Sequence, residues 1–449
     1  MPAHSHNGRR PRAWVVDVDM GYGHSRAAFA LRDLSGGAVI TANNYRGIPE
    51  SDKRLWKASR QAYELVSRLK PIPLVGDAAF SFLDWMQRIP DFYPRRDMSR
   101  PSIQLWETYL GIKRGLCKHL IGTLAKKPLP LVCTFPIPAI AADYHEYPGD
   151  IYCVTTDTDV NRAWAPWDPK SSRIRYFASS GRVVERLKLY GVREDRIFLT
   201  GFPMPKELIG GPSAGRLKEL LAARLCNLDP KGIFHERYGH EMRNMLDTNL
   251  CRMTRASHPL TLTYSVGGAG AQRHLGVDLL KSLRVRISRH QVRVNLVAGV
   301  RHDVARYYER AALDLGLKKE LGKWVVIPTF ESRAAYFEGF TRLLETTDIL
   351  WTKPSELSFY TGLGIAIIMA PTIGSQEDFN RLWLEYVGGG VSQFKTAHAD
   401  QWLFDWIDSG GVARLAWNGF LEAPTHGTYR IEDQVLGRPS ELHKLPLIV

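Results

Sequence analysis

One pattern occurs twice in this chain and constrains its fold more than any other: a short apolar run, a glycine turn, then a helix-like stretch. Ala13 to Met20 leads into Gly21-Tyr-Gly-His-Ser-Arg-Ala-Ala28, and Leu260 to Val266 leads into Gly267-Gly-Ala-Gly-Ala-Gln-Arg273. Glycine lets a backbone turn tightly from strand to helix and lets a ligand approach its N–H groups. Two such openings in 449 residues imply two doubly wound α/β domains, each of about 200 residues. Small residues in the second turn leave room for a pyrophosphate, and Arg273 can add charge to it. The first turn carries His24. It is either a surface histidine at a helix start or an imidazole placed to take a proton from a hydroxyl.

Later segments repeat the strand-to-helix rhythm. Apolar runs fall at Leu131 to Ile137, Ile151 to Thr158, Ile174 to Ala178, Ile197 to Thr200, Val292 to Ala298, Trp324 to Phe330, Ile349 to Trp351 and Ile365 to Ala370. Bounded by Pro and Gly, they read as buried parallel strands. The last two end in Thr352-Lys-Pro-Ser-Glu356 and in Pro371-Thr-Ile-Gly-Ser-Gln-Glu377, polar clusters where open α/β sheets bind ligands. Gln376 opens a helix with Phe379, Leu382, Trp383 and Tyr386 along one face. Its first turn suits a phosphate, and Gln376 and Glu377 suit sugar or ribose hydroxyls; helix capping alone explains the same residues. Asp157 and Asp159, after the Ile151 strand, either orient His24 or an acceptor hydroxyl, or stabilise a turn.

Composition narrows the partners. Hydrophobic content of 44% and charged content of 24% describe a globular protein, while a net charge of +14 favours phosphates, anionic lipid or nucleic acid. Five scattered cysteines form no CxxC pair, so no disulfide framework or metal site is expected. The start, Met1 to Arg12, lacks an apolar signal core, and no run reaches the roughly 18 apolar residues that span a membrane. A cytoplasmic protein, peripheral at the inner membrane face, is expected.

Residues 43–116 break the rhythm and mix Trp56, Phe80, Phe82, Trp85, Phe92, Tyr93 and Trp106 with lysines and arginines. That composition fits a membrane interface, a helical subdomain with a basic rim, or single-stranded nucleic acid. The expected boundaries are 1–205 for an acceptor and membrane-facing domain with the insert 43–116. A linker region follows at 206–259, then a nucleotide-sugar donor domain at 260–400 and bridging helices with a tail at 401–449.

Four stretches also resemble one family. They are Asp19-Met-Gly-Tyr-Gly-His-Ser-Arg-Ala-Ala28; Thr156-Asp157 with Trp164, Arg175-Tyr-Phe-Ala-Ser-Ser180 and Tyr190 to Pro203; Val266-Gly-Gly-Ala-Gly-Ala271; and Thr352-Lys-Pro354 with Gly374-Ser-Gln-Glu377 and Asn380. In order and spacing these are similar to family 28 glycosyltransferases of the GT-B fold. That group contains the lipid-linked muramoyl-pentapeptide GlcNAc transferase and the monogalactosyl- and diglucosyl-diacylglycerol synthases. The resemblance covers about residues 13–45 and 130–390. Three departures stand out. Asn161 and Arg162 occupy positions where the family has a histidine, Glu356 matches the ribose-binding glutamate loosely, and Gly362-Leu-Gly364 replaces a Gly-Leu-Pro.

The resemblance implies two Rossmann-like domains facing across a cleft and a UDP-sugar as co-substrate, with no cofactor and no metal. Pyrophosphate would lie on Gly267, Gly268 and Gly270, and uracil near the backbone of Thr329 and Phe330. Glu356, Gln376 and Glu377 would hold ribose and sugar, and Lys353 or Arg273 would meet the leaving charge. His24, aided by Asp157, would deprotonate an acceptor hydroxyl, with inversion. A membrane lipid is the expected acceptor and an anionic membrane surface the expected partner; nucleic acid is not. Two alternatives share the fold: a UDP-GlcNAc 2-epimerase-like enzyme and a catalytically silent nucleotide-sugar-binding protein.

Overall fold

Short apolar runs buried on both faces build the molecule. The computed structural model describes residues 10–57, 89–247, 250, 256–265, 270, 272–372 and 374–447. Among these, Gly267 and Gly268 of the second turn, and Phe80, Phe82 and Trp85 of the insert, are not included. The chain divides into two units. One comprises Met1–Met204, Gly374–Phe379 and His426–Val449, the other Pro205–Ile373 and Asn380–Thr425.

The first unit holds six parallel strands: β1 (Trp14–Asp17), β2 (Ile40–Thr41), β3 (Leu131–Cys133), β4 (Ile151–Val154), β5 (Arg175–Ala178) and β6 (Ile197–Leu199), in the order β2-β1-β3-β4-β5-β6. β1 pairs on one side with β2, Val16 opposite Ile40, and on the other with β3, Val16 opposite Cys133. Helices α1 (Tyr22–Ala30), α2 (Ile103–Lys113), α3 (Pro136–Tyr144) and α4 (Gly181–Leu189) pack on this sheet and its insert. Sequence alone extends the third strand to Ile137, but Pro136 starts α3 instead. Proline's fixed φ and missing N–H suit a first helical position.

The second unit repeats the plan with β7 (Thr261–Ser265), β8 (Arg293–Val297), β9 (Val325–Val326), β10 (Ile349–Thr352), β11 (Ala366–Met369) and β12 (Gly390–Ser392), all parallel, ordered β12-β11-β10-β7-β8-β9. Its helices include α5 (Gly215–Leu228), α6 (Arg273–Ser288), α7 (His302–Asp314), α8 (Arg333–Leu344), the part of α9 (Ser375–Tyr386) from Asn380 onward, and α10 (Gly411–Glu422). Two doubly wound parallel sheets are the pair of Rossmann-like domains from which the GT-B fold is made.

The apolar face expected for α9 needs correction. Leu382 and Tyr386 are exposed, at 51% and 70%, while Asn380 and Leu384 are buried. Trp383 is half-buried against Phe359, ring centroids 5.1 Å apart. The buried ridge runs Asn380, Leu384, Val387, an i, i+4, i+7 stripe rotated from the expected one.

The last helix, α11 (Gly427–Val435), belongs to the first unit, where Ile431 and Val435 join the core beside Val15 and Leu31. Thr428 Oγ1 donates to Met204 O at 2.6 Å. A Cβ on Gly427 would collide with the carbonyls of Gly201 and Phe202. Gly427→Ala is therefore expected to destabilise the first unit by about 1–3 kcal/mol, the usual cost of overpacking against a backbone that cannot yield. Chemical denaturation reads this, and an unchanged midpoint would mean that α11 docks elsewhere. Among the described residues no helix is long and apolar enough to cross a membrane.

Candidate active site

The chain leaves β1 for β2 on one side, and β3 takes the other side. This is a topological switch point, where the loops beyond two neighbouring strands part and open a crevice. Gly21 makes the turn there, at φ 114°, a backbone conformation that favours glycine. α1 begins one residue later and carries His24 in its first turn, half-buried.

Thr134, the first residue beyond β3, grips His24 from both ends. The Thr134 Oγ1 hydroxyl donates to His24 O at 2.9 Å. The His24 ring reaches back with Nδ1 2.8 Å from Thr134 O. A carbonyl oxygen can only accept, so Nδ1 carries the proton and Nε2 carries the basic lone pair. Thr156, just past β4, places Oγ1 3.1 Å from the same Nδ1. Phe135 stands edge-on to the imidazole at 4.7 Å, and Trp164 lies 6.1 Å away. The ends of β1, β3 and β4 thus converge on one imidazole held in one tautomer. Sequence reasoning missed Thr134 and the role of Thr156. The available signal was position, since each is a hydroxyl residue just beyond a strand at the switch point.

The carboxylates after β4 divide. Asp157 is half-buried and follows Thr156 directly; its backbone oxygen accepts from Ser179 Oγ at 2.5 Å. Asp159 is committed to structure. It takes a two-pronged guanidinium from Arg186, at 2.7 and 2.9 Å, with both side chains buried. Burial raises the Asp159 pKa, and Arg186 works against that rise. Of the two readings open to this aspartate, turn and core stabilisation is the one its contacts support. Asn161 and Arg162 are structural too. Asn161 Oδ1 accepts from Ala163 N at 3.1 Å, and buried Arg162 donates to the carbonyls of Ser99, Ala165 and Pro166.

In the second unit β7 goes on to β8, and β10 lies on its other side, so the switch point falls between β7 and β10. Gly270 of the glycine turn has φ 68°. A Cβ there would lie 3.3 Å from Val304 and 3.7 Å from the Arg301 guanidinium. Arg301 was not singled out from sequence, yet it stands beside this glycine at the start of α7. Gln272 ties the turn across the sheet: its Nε2 donates to Pro371 O at 2.8 Å, and its own carbonyl accepts from the Tyr264 hydroxyl at 2.8 Å. The loops after β7 and β11 therefore meet above the end of β10, where Thr352 and half-buried Lys353 lie. Glu356 follows at the start of a 3₁₀ segment, Glu356–Leu363.

The remaining expected residues are placed less closely together. Arg273 leans onto α7, 4.8 Å over the Tyr307 ring and 3.7 Å from Asp303. The Phe330 amide donates to Gly299 O at 2.9 Å, so that N–H already has an acceptor, and Thr329 Oγ1 donates to Ile327 O at 3.2 Å. The Phe330 ring lies against Gly339 of α8. Gln376 and Glu377, in the first turn of α9, fall in the first unit rather than with Lys353 and Gly270.

No protein-family model matches this chain. No curated protein matches its sequence. Solved structures do align with it. MnaA of S. aureus, in a co-structure with UDP, is similar at 10% identity over 97% of this chain and 99% of that one, with a TM-score of 0.49. The UDP-GlcNAc 2-epimerase of Neisseria meningitidis, bound to UDP-GlcNAc, aligns at 10% identity over 95% of this chain and 100% of its own, TM-score 0.45. MurG of Acinetobacter baumannii aligns at 12% identity over 95% of this chain and 100% of its own, TM-score 0.42. At these values the likeness stops at the general fold.

Proposed function

We propose that the protein is a glycosyltransferase moving a sugar from a UDP-sugar to an acceptor hydroxyl, with His24 as general base. The observation that carries this reading is the imidazole itself: Nδ1 bound to Thr134 O at the β1–β3 switch point, with the basic lone pair on Nε2. A base fixed in one tautomer can receive a hydroxyl proton without first reorienting. Asp157, next to Thr156, is the carboxylate we assign to stabilise the imidazolium. The sugar leaves its diphosphate as the acceptor oxygen attacks from the opposite face, which inverts the anomeric carbon.

The second unit takes the donor. Diphosphate oxygens would meet Gly267, Gly268 and Gly270, the Arg301 guanidinium and the Lys353 ammonium, fixed positive charge that steadies the leaving group. Uracil would pair with the carbonyl of Phe330 rather than with its committed amide. Glu356, Gln376 and Glu377 remain our assignments for ribose and sugar.

The acceptor is a lipid hydroxyl at an anionic membrane. Ile103 and Trp106 stand three residues apart on α2, exposed at 53% and 54%, and Tyr93 is exposed at 62%. Arg95, Arg96, Arg100, Lys113 and Arg114 are near them in sequence and exposed. Exposed aromatics rimmed by cations suit the interface of a negatively charged bilayer. Trp56 and Phe92 of the same insert pack inward instead.

The deciding assay couples a thermal-shift screen of nucleotide sugars to UDP release with and without lipid acceptors in anionic vesicles. The expected result is UDP release that requires an acceptor. Release without any acceptor would favour the epimerase-like alternative. Binding without release under every acceptor would favour the silent alternative, which the structural use of Asn161 and Arg162 keeps in view. Co-sedimentation indifferent to anionic lipid and salt would remove the membrane from the proposal.

A further inference from the structure

We propose that the pocket between α6 and α7, which adjoins the donor's diphosphate turn through Arg273 and Asp303, binds a second phosphate-bearing ligand. This pocket of about 270 Å³ is lined by Arg273, Asp303, Arg306, Tyr307 and Arg310, three guanidiniums against one carboxylate. That carboxylate is already taken. Asp303 accepts from Arg301 at 2.9 Å through both oxygens, and Arg301 holds its pKa low, at about 2. Arg273 is a distant second partner at 3.7 Å.

Arg306 and Arg310 lie one turn apart on α7, so they project from the same face. Among the described residues neither forms an ion pair, although Glu309 and Asp314 are close in sequence. Like charges at this spacing repel, and among the described residues the one carboxylate lining the pocket is bonded to Arg301 instead. A phosphate group would offset them, because it offers several oxygens to planar guanidinium forks. Arg273 is braced for the same task by the Tyr307 ring, 4.8 Å below it. A pocket of about 270 Å³, open to solvent, has room for one phosphorylated group. The ligand is therefore either a free phosphorylated metabolite or a phospholipid headgroup; the two share the recognising chemistry.

The test uses the full chain with UDP present in saturating amount, so that the donor turn is occupied, and titrates inorganic pyrophosphate calorimetrically. We expect pyrophosphate to bind, and the double variant Arg306→Ala, Arg310→Ala to weaken it about tenfold or more. Both side chains are exposed, so the variant should fold normally and keep its affinity for UDP. Phosphatidylcholine vesicles containing phosphatidic acid separate the sources. Vesicle binding lost in the double variant supports a lipid headgroup; vesicle binding unchanged while pyrophosphate binding falls supports a free phosphate. Equal pyrophosphate affinity in both proteins overturns the proposal. Because the comparison rests on two arginines outside the donor turn, it holds even if UDP proves not to bind.

Discussion

His24→Gln is expected to lower kcat by roughly 10² to 10⁴ while UDP binding persists, the usual worth of a positioned general base. Glutamine keeps an N–H that can reach the Thr134 carbonyl, so the local fold has a substitute for the Nδ1 contact. It offers no basic nitrogen, so the proton of the attacking hydroxyl has no acceptor. The loss should fall on kcat rather than on donor KM, since the described contacts of His24, with Thr134, Phe135, Thr156 and Trp164, include none of the residues assigned to the donor's diphosphate. Turnover unchanged in His24→Gln would remove His24 from the mechanism.

Arg224→Met should destabilise the second unit by about 3–5 kcal/mol, the range seen when one member of a buried charged arrangement is removed. Arg224 is fully buried on α5 and donates to three carbonyls: Thr347 O at 2.8 Å, Leu363 O at 2.6 Å and Leu344 O at 2.8 Å. Burial pushes its pKa down to about 10, and Asp348 pulls against that shift, so the guanidinium stays charged at neutrality. The three oxygens belong to the end of α8, the approach to β10 and the approach to β11. Methionine fills the volume but donates nothing, so all three carbonyls lose the guanidinium, although Leu344 O keeps a second donor, the Thr347 amide at 3.3 Å. Since β10 delivers Lys353, a weaker hold on UDP should accompany the lost stability. Denaturant unfolding monitored by Trp351 and Trp417, both in this core, provides the measurement. A loss under about 1 kcal/mol would show that water or a repacked side chain satisfies those oxygens.

Much of the architecture can be read from residues alone because buried parallel strands announce themselves. Val15, Val132, Val154 and Ile367 sit in runs apolar on both faces, and glycine turns mark where helices begin. What escapes is the structure made by pairing rather than by local composition. β2 is Ile40–Thr41 and β12 is Gly390–Ser392; each is only two or three residues long and is completed by the hydrogen bonds that an edge of β1 or β11 offers. Their absence from a sequence reading also hides the switch points, which depend on strand order. α9 is misread for a related reason. Its Leu382 and Tyr386 have the right period, but buried Asn380 and Leu384 show that neighbouring elements chose another face.

The candidate site divides along the same line. His24 is visible because it follows a glycine turn, whereas Thr134 lies 110 residues away in sequence and meets it only through the β1–β3 pairing. Arg301 likewise reaches Gly270 from the far side of β8. Asp159 and Asp157 look equivalent in sequence, and only the approach of Arg186 separates them.

The account turns on whether the second unit holds a nucleoside diphosphate at the β7–β10 switch point. Calorimetric titration of UDP into the full chain tests this most directly, alongside Lys353→Ala and His24→Gln. We predict binding of UDP, weakened about tenfold or more in Lys353→Ala by loss of a charged phosphate contact, and little changed in His24→Gln. No heat of UDP binding, or equal affinity in wild type and Lys353→Ala, would contradict the account.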